Sequence, residues 1–225
     1  MNIAIIIPTR KGSKSIKNKN LRLLNNIPLA EHTFISIEKI NVLKFVLTND
    51  KKIKKIAKKY NIITDYIRPE SVSNDKTSLV ETLQHFISYI EKNNVFKFDT
   101  LLILQVTSPL RTKSDIENAI KYYKKNKLKS LFSVSESQEH PYESINLLKN
   151  GKWKYNLLKS KKFFRRQDFD INSYFINGAI YMVDLKFFKK KKKIISDKHG
   201  IFIMKKINSI DIDDEEDLIM AGKLK

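Results

Sequence analysis

Short, continuously apolar runs alternate along this chain with segments whose apolar residues recur at helical spacing, and that alternation constrains the fold more than any other feature. Ile3 to Ile7 is unbroken aliphatic sequence up to Pro8, and Phe45 to Thr48, Thr100 to Gln105 and Ser130 to Ser135 repeat the pattern. Gly178 to Val183 and Ile201 to Met204 resume it towards the end, while Ile62 to Ile67 reads as extended. A strand covered on both faces reads as a continuous apolar run rather than as an alternating one. Between these runs, Pro28 opens a helix to about Lys39 bearing Leu29, Phe34 and Ile37, and Lys51 to Tyr60 puts Ile53, Ile56 and Ala57 on one face. Thr77 or Ser78 caps a helix ending near Lys92, with Glu81 placed for a capping box, and Thr112 or Ser114 starts one to Lys125. A short helix follows from Leu185, and a closing one from Glu215 or Glu216. The class predicted is α/β: a mostly parallel sheet between helices.

A chain of 225 residues suits one sizeable domain, and no repeat or low-complexity linker divides it. From His140 to about Tyr174 the alternation dissolves around Gly151 and Trp153, an excursion read as hairpin-like and as a candidate dimer contact. There is no cysteine, which excludes disulfides, thiolate metal sites and a cysteine nucleophile. No apolar run approaches a membrane span and no signal-peptide layout opens the chain, so a soluble cytoplasmic protein is expected. The net charge of +20 reads mainly as drift towards Lys, Ile and Asn, with lysine-rich helix faces and the run Lys189 to Lys193 in solvent. It still raises the potential felt by an anionic substrate.

Open α/β sheets bind ligands beyond the carboxyl ends of their strands, and four constellations stand in or near such places. After the first strand come Arg10, Gly12, Ser13, Lys14, Lys19 and Asn20, either a basic surface loop or a phosphate cradle of cations, hydroxyl and backbone N–H. It lacks the second glycine of a P-loop and the three of a dinucleotide fingerprint. Gln105, Thr107 and Ser108 end a buried strand before Pro109 and Arg111, either as a capping turn or as a site where an amide reads a nucleobase edge. Arg165, Arg166, Gln167 and Asp168, followed by Tyr174 and Asn177, are either surface charge or a fork onto an anion. Asp211 and Asp213 flank Ile212 and, on a strand-like segment, share a face; a cation between them or an acidic cap on the closing helix both account for them.

Taken together, Ile7 to Lys14 with Lys19-Asn20, Leu104 to Arg111, Arg165 to Asp168 with Asn177 to Tyr181, and Asp211-Ile212-Asp213 resemble the acylneuraminate cytidylyltransferases, the CMP-nonulosonic acid synthetases. The blocks run in order over nearly the whole chain. Thr9, Ser15 and Val106 depart from the family's usual Ala, Gly and Pro, and none of these departures removes a charged group. The resemblance implies a Rossmann-like nucleotide-diphospho-sugar transferase fold over residues 1–225, with residues 140–175 as a dimerisation or acceptor-site excursion. It also implies Mg²⁺, a homodimer, a role in cell-surface glycan biosynthesis, and transfer of CMP from CTP to a nine-carbon keto sugar acid. Matching residues that bind nucleotide are Arg10, Ser13, Lys19, Asn20, Arg68, Ser78 and Gln105. Those near the acceptor or aiding catalysis are Arg166, Gln167, Tyr174 and Asn177; those on metal are Asp211 and Asp213.

The mechanism expected is in-line attack of an anomeric hydroxyl on the α-phosphorus of CTP, with Arg166, Lys19 and Asp211 as the catalytic set. The same chemistry on an eight-carbon sugar acid is a close alternative. A basic nucleic-acid-binding protein is a distant one, since the lysines spread over many helices without interleaved aromatics or a binding motif.

Overall fold

The computed structural model describes residues 1–13, 15–94, 96–157, 165, 169 and 171–225. Its central sheet holds six strands in the order β10-β6-β9-β5-β1-β4. These are β1 (Ile3–Pro8), β4 (Leu43–Leu47), β5 (Thr100–Leu104), β6 (Ser130–Glu136), β9 (Tyr174–Asp184) and β10 (His199–Ile203). Pairs β1·β4, β1·β5 and β10·β6 are parallel, and only β9 runs antiparallel to both neighbours. The expected mostly parallel α/β architecture is therefore the observed one.

Strand pleating explains how continuous apolar runs build two layers. In β1, Ile3, Ile5 and Ile7 enter one core while Ala4 and Ile6 enter the other, and in β5 Leu102 and Leu104 oppose Leu101 and Ile103. The first core takes Phe34 and Ile37 from α1 (Leu29–Ile37), Ile53 and Ala57 from α2 (Lys51–Lys58), and Ile116, Ala119 and Tyr123 from α4 (Lys113–Lys125). The second takes Leu83, Phe86, Ile87 and Ile90 from α3 (Leu79–Asn93) and Phe188 from α5 (Leu185–Lys191). Capping boxes Ser78/Glu81 and Thr112/Asp115 start α3 and α4, and Asp214/Asp217 starts α6 (Glu215–Leu224).

Two local features depart from the sequence expectation. Ile62 to Ile67 does not form a strand; it makes two isolated parallel bridges, Phe45↔Ile63 and Thr48↔Ile67, at the sheet edge. An unforeseen hairpin, β2 (Leu23–Leu24) and β3 (Ile27–Pro28), turns through Asn25 and Asn26 at φ 49° and 64°, the left-handed pair that a two-residue hairpin loop requires. The excursion contains the hairpin β7 (Ile145–Leu147) and β8 (Trp153–Tyr155), turning at Gly151 with φ +76°. No described helix is long and apolar enough to cross a membrane.

Candidate active site

Beyond the carboxyl ends of β1 and β5 lies a cleft of about 290 Å³ lined by Thr9, Arg10, Ser13, Lys19, Asn20, Gln105, Thr107, Asp211 and Asp213, among others. Three of the four constellations thus meet in one place. Gly12, at φ +84°, turns the loop so that its carbonyl accepts from Arg10 Nη1 at 2.8 Å, and Asn20 Nδ2 donates to the Arg10 carbonyl at 2.9 Å. Arg10 Nη2 pairs with Asp75 Oδ1 at 2.7 Å. Lys14 lies outside the described residues.

Ile212 holds the two carboxylates in position. Its side chain is fully buried with Ile16, Leu24, Leu29, Leu110, Leu218 and Ala221. Its N–H donates to the Thr107 carbonyl at 2.7 Å and its carbonyl accepts from Lys19 Nζ at 2.7 Å. With the apolar residue driven inward, Asp211 and Asp213 are left facing the cleft on either side of it. The segment belongs to no sheet, so the expected strand is corrected to an extended stretch clamped by Thr107 and Lys19.

The carboxylates differ in environment. Asp213 is exposed and meets Lys19 Nζ at 3.2 Å. Burial pushes Asp211 above the ordinary carboxylate pKa and the charge of Asp213 adds to the shift, while the Thr107 hydroxyl and Lys19 oppose it. Neither Asp211 Oδ1 nor Thr107 Oγ1 has a hydrogen-bond partner of good geometry among the described residues, so the hydroxyl's opposition is only partial. Thr9 Oγ1 and Ser108 Oγ are likewise buried without partners. A buried carboxylate oxygen left unsatisfied beside a second carboxylate suits a hard divalent cation, which takes one or two carboxylates and completes its shell with water and phosphate.

A second, larger cleft of about 630 Å³ adjoins the first and shares Asp211 with it. Ser135 to Glu139, Phe175, Lys206, Ile210 and Met220 contribute to its walls.

Other predicted site residues stand elsewhere. Arg68 is buried outside the cleft, where Nε donates to the Val72 carbonyl at 2.8 Å and Nη2 to Thr82 Oγ1 at 3.0 Å. Its pKa is lowered by burial, in spite of Tyr66, with Arg10 adding to the shift. Ser78 spends its hydroxyl on the capping box. Together they frame the segment that carries Asp75 to Arg10. Ser108 sits behind the cleft wall rather than on it. Asn177 is buried, with its amide hydrogen-bonded to Ser133, Ser209 and Ala179, so it supports the strand. Tyr174 is exposed at the start of β9, opposite Glu136. Arg165 is exposed, and Arg166, Gln167 and Asp168 lie outside the described residues.

Asp75 is the residue that sequence reasoning missed. No local pattern marks Asp75, which reaches Arg10 only through the path of the chain. Arg111, whose guanidinium the sequence places at the strand end where ligands sit, is buried instead on the Gln105 and Ala179 carbonyls and Thr33 Oγ1.

Residues 4–218 match the family described as Cytidylyltransferase. An N-acylneuraminate cytidylyltransferase of Streptococcus agalactiae is 30% identical over 218 residues, covering 95% of this chain and 51% of that protein. The chain thus spans about half the length of that relative. A CMP-N,N'-diacetyllegionaminic acid synthase of Legionella pneumophila is 31% identical over 232 residues, covering 100% of this chain and 96% of the relative. A pseudaminic acid cytidylyltransferase of Campylobacter jejuni is 26% identical over 219 residues, covering 96% and 93%. The fold is similar to that of CMP:2-keto-3-deoxy-manno-octonic acid synthetase complexed with CTP, with TM-score 0.69, 14% identity and coverage of 100% of this chain and 98% of that one.

Proposed function

This chain belongs to the cytidylyltransferase family, and from that premise we propose that it transfers CMP from CTP to the anomeric hydroxyl of a sialic-acid-like nine-carbon keto sugar acid, releasing pyrophosphate. The observation that carries the reading is that Asp211 lines both clefts. The smaller, with Arg10, Ser13, Lys19, Asn20 and Gln105, suits a nucleoside triphosphate. The larger suits the acceptor. A residue common to both stands where the two substrates must meet.

In this reading the bond from the α-phosphorus to the pyrophosphate oxygen breaks, a bond to the anomeric oxygen forms, and the hydroxyl proton is released. Arg10 and Lys19 offset the charge that grows on the departing pyrophosphate, and the Gln105 amide reads the base edge. Asp211 and Asp213 would hold Mg²⁺, which lends Lewis acidity to the reacting phosphate when bound. Lys19, anchored on the Ile212 carbonyl, orients the Asp213 carboxylate. Arg166, with Arg165, would grip the acceptor carboxylate or the triphosphate.

We further propose a homodimer. The hairpin β7·β8 leaves Ile145, Leu147 and Trp153 exposed, with Leu147 at 78%, and a lone two-stranded hairpin is marginal in water. A second copy of the chain is the cover proposed for it. The reading carries a cytoplasmic location, where CTP is made, and a role in building cell-surface glycans.

The deciding experiment incubates the protein with CTP, Mg²⁺ and neuraminic-, legionaminic-, pseudaminic-type and eight-carbon 2-keto acids, following pyrophosphate and CMP-linked product by mass. A CMP conjugate with a nine-carbon acid is expected, and it should disappear with Asp211→Ala. A conjugate with the eight-carbon acid alone would move the protein to that branch. No CTP-dependent pyrophosphate with any acid would reject the reading.

A further inference from the structure

Arg111 is a buried cation that the proposed mechanism leaves without a task. It is 3% exposed, and among the described residues no carboxylate lies within ion-pair distance of its guanidinium. Burial pushes its pKa down to about 9, with Asp115 opposing, so the group stays charged at neutral pH. An uncompensated buried charge is costly unless its hydrogens are well placed. Here they are. Nη1 donates to the Gln105 carbonyl at 2.9 Å and to the Ala179 carbonyl at 2.7 Å, and Nη2 donates to Thr33 Oγ1 at 2.9 Å.

Those two carbonyls mark the place where the sheet opens. Pairing of β5 with β9 runs from Thr100↔Asp184 to Leu104↔Ile180 and stops there. Continued, the same register would set Gln105 opposite Ala179, and one nitrogen of Arg111 bridges their carbonyls instead of a ladder bond. On the other edge of β9 the register with β6 shifts between Phe132 and Val134. Ser133 fills that gap, its hydroxyl donating to Asn177 Oδ1 at 2.6 Å and accepting from the Ile180 N–H at 2.8 Å. Between the two splices Gly178 adopts φ +70°, and a Cβ there would stand 3.6 Å from Gln105 Nε2 and 3.9 Å from Asp211 Oδ2. Residues 177–179 are thereby held against the cleft.

We propose that Arg111 is a positioning residue: by gathering the Gln105 and Ala179 carbonyls on one nitrogen it fixes where the Gln105 amide projects, and it acts on the nucleotide through Gln105. This rests on reading the cleft as a CTP site. Arginine suits the task because its planar fork reaches three acceptors on three elements at once, which a lysine ammonium on a flexible stem cannot reproduce.

The test is a double-mutant cycle on CTP binding with Mg²⁺, by calorimetry, using wild type, Arg111→Lys, Gln105→Ala and the double variant. Each single change is expected to weaken binding about tenfold, and the double by no more than about twofold beyond Gln105→Ala, since a residue acting through another adds nothing once that other is gone. Wild-type affinity in Arg111→Lys, or losses that multiply in the double variant, would overturn the inference while leaving the CTP site standing. Absence of CTP binding in the wild type would overturn the function and this inference with it. Should Arg111→Lys not fold, Thr33→Val removes only the Nη2 acceptor. A loss of about threefold that vanishes in the Gln105→Ala background is then expected; a loss that persists there, or none, overturns it.

Discussion

Arg10 Nη2 lies 2.7 Å from Asp75 Oδ1, while Nη1 of the same guanidinium donates to the Gly12 carbonyl at 2.8 Å. A carboxylate therefore holds the edge of the fork that an arriving phosphate would take, and under the proposed function the nucleotide would have to displace it. Both side chains are about one-third exposed, at 31% and 33%, so the pair is screened by solvent. Pairs of this kind are worth about 0.2–1 kcal/mol, so Asp75→Asn is expected to tighten pyrophosphate binding roughly 1.5- to 5-fold at low ionic strength. Added salt should shrink the gain. Weaker binding in calorimetric titration would show that Asp75 orients Arg10 and does not compete for it.

Thr9 is 1% exposed and its hydroxyl has no hydrogen-bond partner among the described residues. Leaving such a group unsatisfied costs about 1–3 kcal/mol, and Val has the same branched shape without the hydroxyl. Thr9→Val should therefore raise Tm by roughly 2–12 °C in a domain of this size, with pyrophosphate release maintained. A lower Tm would mean that the hydroxyl is satisfied in solution.

Sequence patterning revealed the layers because β1 and β5 are buried on both faces, and a continuous aliphatic run has few other places to go. Asp211 and Asp213 were legible for a related reason: Ile212 between them has to be inside, which turns its neighbours outward. Arg68, Ser78 and Asn177 were harder, because a polar residue near a site reads the same whether it faces a ligand or props the backbone. Their hydrogen bonds to Val72, Glu81 and Ser133 show the propping role, and those partners are fixed by tertiary packing. The pairing of Arg10 with Asp75 joins residues that share no local pattern.

His32 offers a pH-dependent signature away from the cleft. Burial lowers its pKa first and the Lys225 ammonium second. Nε2 meets the Leu24 carbonyl and Nδ1 meets Lys225 Nζ, so the hydrogen-bond network assigns a neutral ring protonated on Nε2. Below about pH 6.5 the unfolded chain binds a proton at this histidine that the folded chain resists, so stability falls as the pH drops through that value towards the lower folded pKa. His32→Gln should flatten the fall in Tm between about pH 7 and pH 5. An unchanged slope in thermal melts would place the titration elsewhere.

Gly178 and Gly151 form a matched pair that separates backbone strain from site geometry. Both adopt the left-handed region, at φ +70° and +76°, where alanine costs roughly 1 kcal/mol. At Gly151 nothing lies within 4 Å of an added Cβ, whereas at Gly178 the methyl would rest against Gln105 and Asp211. Neither contact is a clash, so Gly178→Ala is expected to fold, with Tm lowered by roughly 2–4 °C. Its turnover should nevertheless fall at least about tenfold, because relaxing the strained turn moves the strand that backs Gln105, and small misplacements of positioning groups are costly in rate. Gly151→Ala carries the same strain in the excursion and should keep turnover within about twofold. Equal losses of turnover in the two variants, measured well below either Tm, would mean that residues 177–179 contribute rigidity only and do not shape the cleft.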